Sequence, residues 1–242
     1  MTGQNLEHSH EPAAVAARLA TGPRFSYLSD ALFGAIDGTV TTFAVVAGAV
    51  GAELSPRVVI ILGFANLLGD GFSMAAGNFA GTRAAAELSE HFRAIENRHI
   101  ALDPEGEKTE IREIYRTKGF AGKELDAITQ LVTSKRGAWV ETMLAAEYGV
   151  SAANRSPWQA AFATFLAFVA AGLLPLLPFF FAMQQAAIVA TAATGAVFFV
   201  IGSFKSYWSA RSWFHCGVET FTIGMGAALI AFAIGWGADK LL

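Results

Sequence analysis

The 242 residues are 54% hydrophobic and only 15% charged, too apolar for an ordinary soluble protein and in keeping with a chain built for a bilayer. A net charge of -3 with no unopposed basic stripe argues against a nucleic-acid partner. The single cysteine, Cys216, excludes an intrachain disulfide and any cysteine-based metal cluster, and reads as a small packing residue.

Residues 1–26 are polar and Ala-rich, with no apolar segment of the kind a secretory signal needs, and read as a cytoplasmic tail. The run Glu7-His8-Ser9-His10-Glu11 could chelate a metal weakly, but a disordered polar terminus accounts for it as well. Residues 27–82 then hold two spanning segments separated by a short turn around Ser55-Pro56. Between Asp30 and Glu53 the only charge is Asp37, and between Arg57 and Arg83 the only charge is Asp70. A carboxylate near the middle of a membrane helix costs roughly 3 kcal/mol even on the mildest insertion scale, so two at such depth call for a reason, and ion handling is the leading one.

Asn66, Asp70, Met74 and Asn78 recur every four residues and form one polar stripe on the second helix. If the first helix enters at Leu28, Asp37 lies about 14 Å deep. If the second leaves near Gly81 on the same side, Met74 lies about 10 Å and Asp70 about 16 Å from that face, so the two bracket Asp37. Oxygen ligands with one thioether sulfur suit a borderline first-row cation better than magnesium or calcium. The plain alternative is protonated carboxylates serving as hydrogen-bonded helix glue, with Met74 as packing. Gly34-x-x-x-Gly38 and Gly77-x-x-x-Gly81 permit close helix approach, either between two copies of the chain or within one.

Residues 83–155 change character: they carry 12 of the 20 acids and 11 of the 17 lysines and arginines, and belong in water. The pattern predicts that the second membrane helix continues outward to about His99, followed by a helix over roughly Glu107 to Thr117 and another over roughly Ala121 to Tyr148. The breaks fall at Asp103-Pro104-Glu105-Gly106 and Lys118-Gly119, and Gly149 supplies a stop. Residues 156–242 hold three further spans: no charge occurs between Arg155 and Lys205, a stretch that Pro175, Pro178 and Gln184-Gln185 divide in two. The fifth span, between Arg211 and Asp239, carries only Glu219, which could pair with His215 one turn earlier. Five spans with the amino terminus inside put 15 basic residues on inner segments against Arg57 and Lys240 outside, so the insert is expected to be cytoplasmic and the carboxyl end external.

Three stretches, Phe33-Gly-Ala-Ile-Asp37-Gly-Thr-Val-Thr-Thr-Phe43, Leu54-Ser-Pro-Arg57 and Gly63-Phe-Ala-Asn-Leu-Leu-Gly-Asp70-Gly-Phe-Ser-Met74, closely resemble the vacuolar iron transporter family. So do Pro104-Glu-Gly-Glu107-Lys-x-Glu110-x-x-x-Ile-Tyr115 and Lys118-Gly-Phe120, and the likeness extends from Leu28 to the carboxyl end. The resemblance implies an all-α membrane protein: a homodimer with five transmembrane helices per subunit and a cytoplasmic three-helix metal-binding insert between helices two and three. It implies a secondary transporter and not an enzyme, moving ferrous iron, with manganese or related divalent ions, out of the cytosol in exchange for protons. No prosthetic group is implied.

The family's aspartate of the first helix and methionine of the second match Asp37 and Met74, which Asp70 and Asn66 would join along the pathway. Its insert ligands match Glu96, Glu107, Glu110, Met143 and Glu147. Two departures stand out: His99 takes the place of a glutamate and can still ligate, whereas Leu144 takes the place of a methionine and cannot. Glu96-x-x-His99 and Glu107-x-x-Glu110 each put two ligands on one helical face, the former spacing also occurring in di-iron carboxylate bundles. Composition alone would make these solvated acidic faces.

A rival reading makes the insert a membrane-anchored ferroxidase or metal buffer, for which charge inside the spans is superfluous. A pathway for a small organic cation would need an aromatic cage, and the phenylalanines serve equally as lipid-facing packing. With no organelle signal in view, a bacterial-type member in an inner membrane is the expectation.

Overall fold

Five stretches are long and apolar enough to cross a membrane: Leu28–Gly51, Pro56–Leu102, Pro157–Phe180, Ala186–Lys205 and Trp213–Leu241. The computed structural model describes residues 9–20, 26–150 and 155–241, and every regular element among them is helical. In chain order these are α1 (Pro12–Ala20), α2 (Leu28–Gly51), α3 (Pro56–Leu102), α4 (Pro104–Thr117), α5 (Gly122–Thr133) and α6 (Arg136–Glu147). There follow α7 (Pro157–Gly172), a 3-10 turn over Leu174–Leu176, α8 (Leu177–Phe180), α9 (Ala186–Lys205), a 3-10 turn over Ser206–Trp208 and α10 (Trp213–Leu241). They gather into two compact units, one of residues 26–82 with 156–242 and one of residues 1–25 with 83–155.

In the apolar unit α2 is the central post, and its glycines decide what can touch it. A Cβ on Gly34 or Gly38 would run into the carbonyl oxygens of Thr164 and Phe168 on α7, and one on Gly51 into that of Phe232 on α10. Gly235 on α10 meets the carbonyl of Gly48 in the same way. Bare backbone at these points lets three helices approach almost to contact, the route by which membrane helices gain packing when lipid is as apolar as any side chain. Phe43, Val46 and Ala47 of α2 then fill the space against Phe198 of α9 and Ala228 of α10, with the Phe43 and Phe198 rings edge to face at 6.4 Å. Large side chains such as Phe162, Leu166, Val200, Ile230 and Ile234 point outward, where lipid can solvate them.

Gly34 and Gly38 thus serve packing within one chain. Gly77 and Gly81 on α3 differ, because a Cβ at either would meet nothing within 4 Å. The division of the long apolar stretch falls where the prolines place it, and Gln185 turns the chain with φ 58° before α9 begins.

The polar unit is built on the outward end of α3 and on α4, α5 and α6. Asp103 caps α4, its Oδ1 accepting from the Gly106 N–H at 3.0 Å with Pro104 in the first turn. The sequence reading placed a four-residue break here and started the helix at Glu107; one capping residue is enough, so α4 starts at Pro104. The helix predicted from Ala121 to Tyr148 is two helices. Ser134 folds its hydroxyl back onto the Leu131 carbonyl at 2.7 Å and Lys135 is extended, which ends α5 and starts α6. Gly149, at φ 63°, follows the end of α6 as expected. Ile100, Ile111, Trp139, Val140, Met143 and Leu144 form this unit's core. The short helix α1 buries none of its residues, so part of the stretch read as a disordered tail is helical; Glu7 and His8 lie outside the described residues.

The glycine contacts give a direct check by thermal melting in detergent. Gly34→Ala is expected to lower the melting temperature sharply or abolish folded protein, since backbone must move to admit the methyl group. Gly226→Ala on α10, where a Cβ meets nothing, is expected to be neutral or to add up to about 1 kcal/mol.

Candidate metal-handling sites

The apolar unit's polar side chains are set in register by one buried node. Asn78 Nδ2 lies 3.0 Å from Asp30 Oδ1, 2.7 Å from Thr164 Oγ1 and 3.3 Å from the Ala160 carbonyl. An amide nitrogen has two protons, so it serves two of these three acceptors at a time. The Thr164 hydroxyl lies 3.0 Å from the Ala160 carbonyl and 3.3 Å from that of Asp30, tying α7 to the same node. Asp30 and Thr164 are both buried. Asp30 and Asn78 are therefore level with each other on two antiparallel helices.

From that level the neighbours can be counted off. Asp37 is seven residues along α2, on the same face and about 10 Å further in. Met74 and Asp70 are one and two turns back along α3, about 6 Å and 12 Å further in. Asp37 thus falls between Met74 and Asp70, and its carboxylate is near enough to that of Asp70 for the two charges to repel. Asp37 and Met74 are half-buried and Asp70 is exposed on the single chain. Asn66, one turn beyond Asp70, has a buried Nδ2 with no hydrogen-bond partner among the described residues. Of the four stripe residues Asn78 is spent on the node; Asp30, its acceptor, enters the sequence analysis only as the bound of an uncharged stretch.

In the polar unit, Glu96, His99 and Glu107 each bring a ligand atom to within 4.8 Å of the others. Glu96 and His99 share one face of α3, and α4 brings Glu107 across, with its Oε1 3.4 Å from His99 Nδ1. Glu96 is fully buried and Glu107 nearly so, and among the described residues the Oε2 atom of each has no hydrogen-bond partner unless a proton lies between the two carboxyl groups. Burial and the neighbouring charges of Glu110 and Glu96 push Glu107 up to about 7 from an ordinary 4.5. Glu147 is raised for the same reasons: burial first, then Glu110 and Glu96, with His99 acting in the opposite direction. Five groups, Glu96, His99, Glu107, Glu110 and Glu147, therefore share one crowded electrostatic neighbourhood.

Met143, matched to a ligand by the family resemblance, is fully buried among the core side chains. Arg93 holds Glu141 at 2.7 Å, and Arg136 Nε reaches Asn97 Oδ1 at 3.0 Å, so α6 is fastened to α3 beside the cluster. Tyr148, which the sequence reading did not single out, donates its hydroxyl to Glu96 Oε1 at 2.9 Å, and burial with this bond pushes the phenol up to about 12. The suggested pairing of His215 with Glu219 does not form. Glu219 turns to Arg211, 3.6 Å away, a cation that keeps its charge at any pH where imidazole has lost it.

A model of the VIT family matches residues 28–236. The chain belongs to the VIT family. Among relatives, it is 34% identical to the "Vacuolar iron transporter" of Toxoplasma gondii over 162 residues, 66% of this chain and 54% of that protein, so it spans about half the length of that relative. It is 27% identical to "Vacuolar iron transporter 1" of Eucalyptus grandis over 208 residues, covering 85% of this chain and 84% of that one. With the "Vacuolar iron transporter" of Plasmodium falciparum it shares 27% identity over 220 residues, 86% of this chain and 81% of the other. Together with its five apolar helices, VIT membership makes this an integral membrane protein.

The raised Glu107 fixes a sign for pH dependence. The folded state holds this proton more tightly than the unfolded one, so Glu107 favours the metal-free fold below pH 4.5, and that contribution is lost as the pH rises through about 7. Metal-free protein is expected to melt at a lower temperature at pH 8 than at pH 5.5, and Glu107→Gln to flatten most of the difference. Equilibrium dialysis should show metal affinity weakening about tenfold for each unit below pH 7 where one proton must leave.

Proposed function

We propose that this VIT-family chain exports ferrous iron, with manganese or other divalent transition-metal ions, from the cytosol by exchange for protons. The observation that carries the reading is the level at which the Asp30–Asn78 bond sets Asp37, between Met74 and Asp70, inside an apolar unit that has no structural use for two further charges. Asp37 and Met74 bind the passing ion, and Asp70 and Asn66 extend the oxygen ligands along the same face of α3. A carboxylate must be ionised to hold the metal and is costly to leave charged in a bilayer. It therefore takes a proton as the metal departs and yields it as the next arrives, which couples the two flows.

The insert acts as a collector. Glu96, His99, Glu107, Glu110 and Glu147, with Met143 nearby in sequence, draw divalent ions from the cytosol. Mixed imidazole and carboxylate ligands suit first-row ions above magnesium. The distribution of basic residues supports an amino terminus and insert in the cytoplasm and a carboxyl terminus outside; the membrane of this proposal is a bacterial inner membrane. The working unit is a homodimer in which the open face of α3 around Gly77 and Gly81 meets its counterpart, which would cover the exposed Asp70 and enclose the pathway. The chain is a secondary transporter and not an enzyme.

Proteoliposomes under an imposed pH gradient test the pathway: Asp37→Ala and Met74→Ala are each expected to cut iron uptake by more than about tenfold, and normal pH-dependent uptake by Asp37→Ala would remove the assignment. For the dimer, Gly77→Cys is expected to yield a covalent pair on mild oxidation while Cys216, buried on α10, stays uncoupled.

A further inference from the structure

Tyr148 is no ligand by position, but it holds one half of a ligand. Its hydroxyl donates to Oε1 of Glu96 at 2.9 Å, and its ring is stacked on Phe92 with centroids 4.1 Å apart and planes 19° from parallel. Glu96 is fully buried, and its second oxygen, Oε2, has no hydrogen-bond partner among the described residues. Glu96 contributes to the constellation in which one atom each from Glu96, His99 and Glu107 come within 4.8 Å of one another. One oxygen of this carboxylate accepts from Tyr148, and the group as a whole stands beside Glu107 and His99.

We propose that Tyr148 is a positioning residue that makes Glu96 a one-oxygen ligand and thereby biases the insert toward small transition-metal ions and against calcium. The proposal rests on the reading of the insert as a metal-binding cluster. For Glu96 to bind through both oxygens, Oε1 must serve the ion and the Tyr148 hydroxyl at once, which weakens it as a ligand and constrains the plane of the carboxylate. Calcium asks for six to eight oxygens and commonly takes both oxygens of a carboxylate, whereas first-row ions accept fewer ligands and a nitrogen among them. A donor fixed to the far oxygen weakens a ligand that calcium uses and a smaller ion can do without. Partners of this outer kind typically set metal affinity by 10- to 100-fold.

The test compares cobalt(II) and calcium binding to the full-length protein in detergent by titration calorimetry, with the visible absorption of bound cobalt as a second readout. Tyr148→Phe keeps the ring and its stack and deletes only the hydroxyl. It is expected to lower the ratio of cobalt to calcium affinity by about tenfold and to shift the cobalt absorption as Glu96 adds its second oxygen. An unchanged ratio and spectrum in a variant of native helical content would overturn the proposal, because a tyrosine that served only packing loses nothing on becoming phenylalanine. Should Tyr148→Phe lose helical content, Phe92→Leu, which loosens the stack and keeps the hydroxyl, decides by the same ratio: a fall supports the role and no change overturns it. Absence of cobalt binding to the unaltered protein would overturn the metal reading of the insert and this inference with it, whereas binding with an unmoved ratio removes Tyr148 alone.

Discussion

Inside the apolar unit, Asn78 bonded to Asp30 and Thr164 fixes what the other polar side chains can do. A buried carboxylate without water needs a donor, and a buried amide needs acceptors; each supplies what the other lacks. Because the bond joins α2 to α3 at a single height, it also sets the register of the two helices, and the helical rise does the rest. Gly34 allows α7 to close on α2 at Thr164, a member of the node, and Gly38 does the same one turn on at Phe168. Asp37, Met74 and Asp70 inherit their common level from this arrangement and need no direct bond among themselves.

The polar unit solves the opposite problem. Its acids do not neutralise one another but are pressed together on α3, α4 and α6, while an apolar floor of Ile100, Ile111, Trp139 and Leu144 keeps the helices from parting to relieve the repulsion. Glu107 answers by holding a proton close to neutrality, and Glu96 by accepting from Tyr148. Such a cluster is least stable when fully ionised, a cost that a cation held there would offset.

Much of this could be read from the residues. The five spans follow from long apolar runs whose few charges are far apart, and the match to the VIT family follows from motifs dense in glycine and acid on α2 and α3. The order Met74, Asp37, Asp70 in depth came from counting residues at the helical rise, and the Asp30–Asn78 bond places them in that same order. What escaped was contact between residues far apart in sequence. Nothing local ties Asp30 to Asn78, 48 positions away, or shows that Gly38 would face the carbonyl of Phe168. The split between α5 and α6 escaped because no Pro marks it and Gly137 falls inside the first turn of α6; a serine folding back on its own helix is a weak signal. Tyr148 marks only the end of a predicted helix in the sequence, and its bond to Glu96, 52 positions away, is made by the fold.

Anomalous diffraction from crystals of the protein loaded with cobalt(II) would test the central claim most directly, since it locates the ion without reference to transport. The account expects one cobalt peak inside the apolar unit, within about 2–3 Å of an Asp37 oxygen and the Met74 sulfur, besides any held by Glu96, His99 and Glu107. Cobalt confined to the polar unit, with Asp37 and Met74 facing different surroundings, would contradict it.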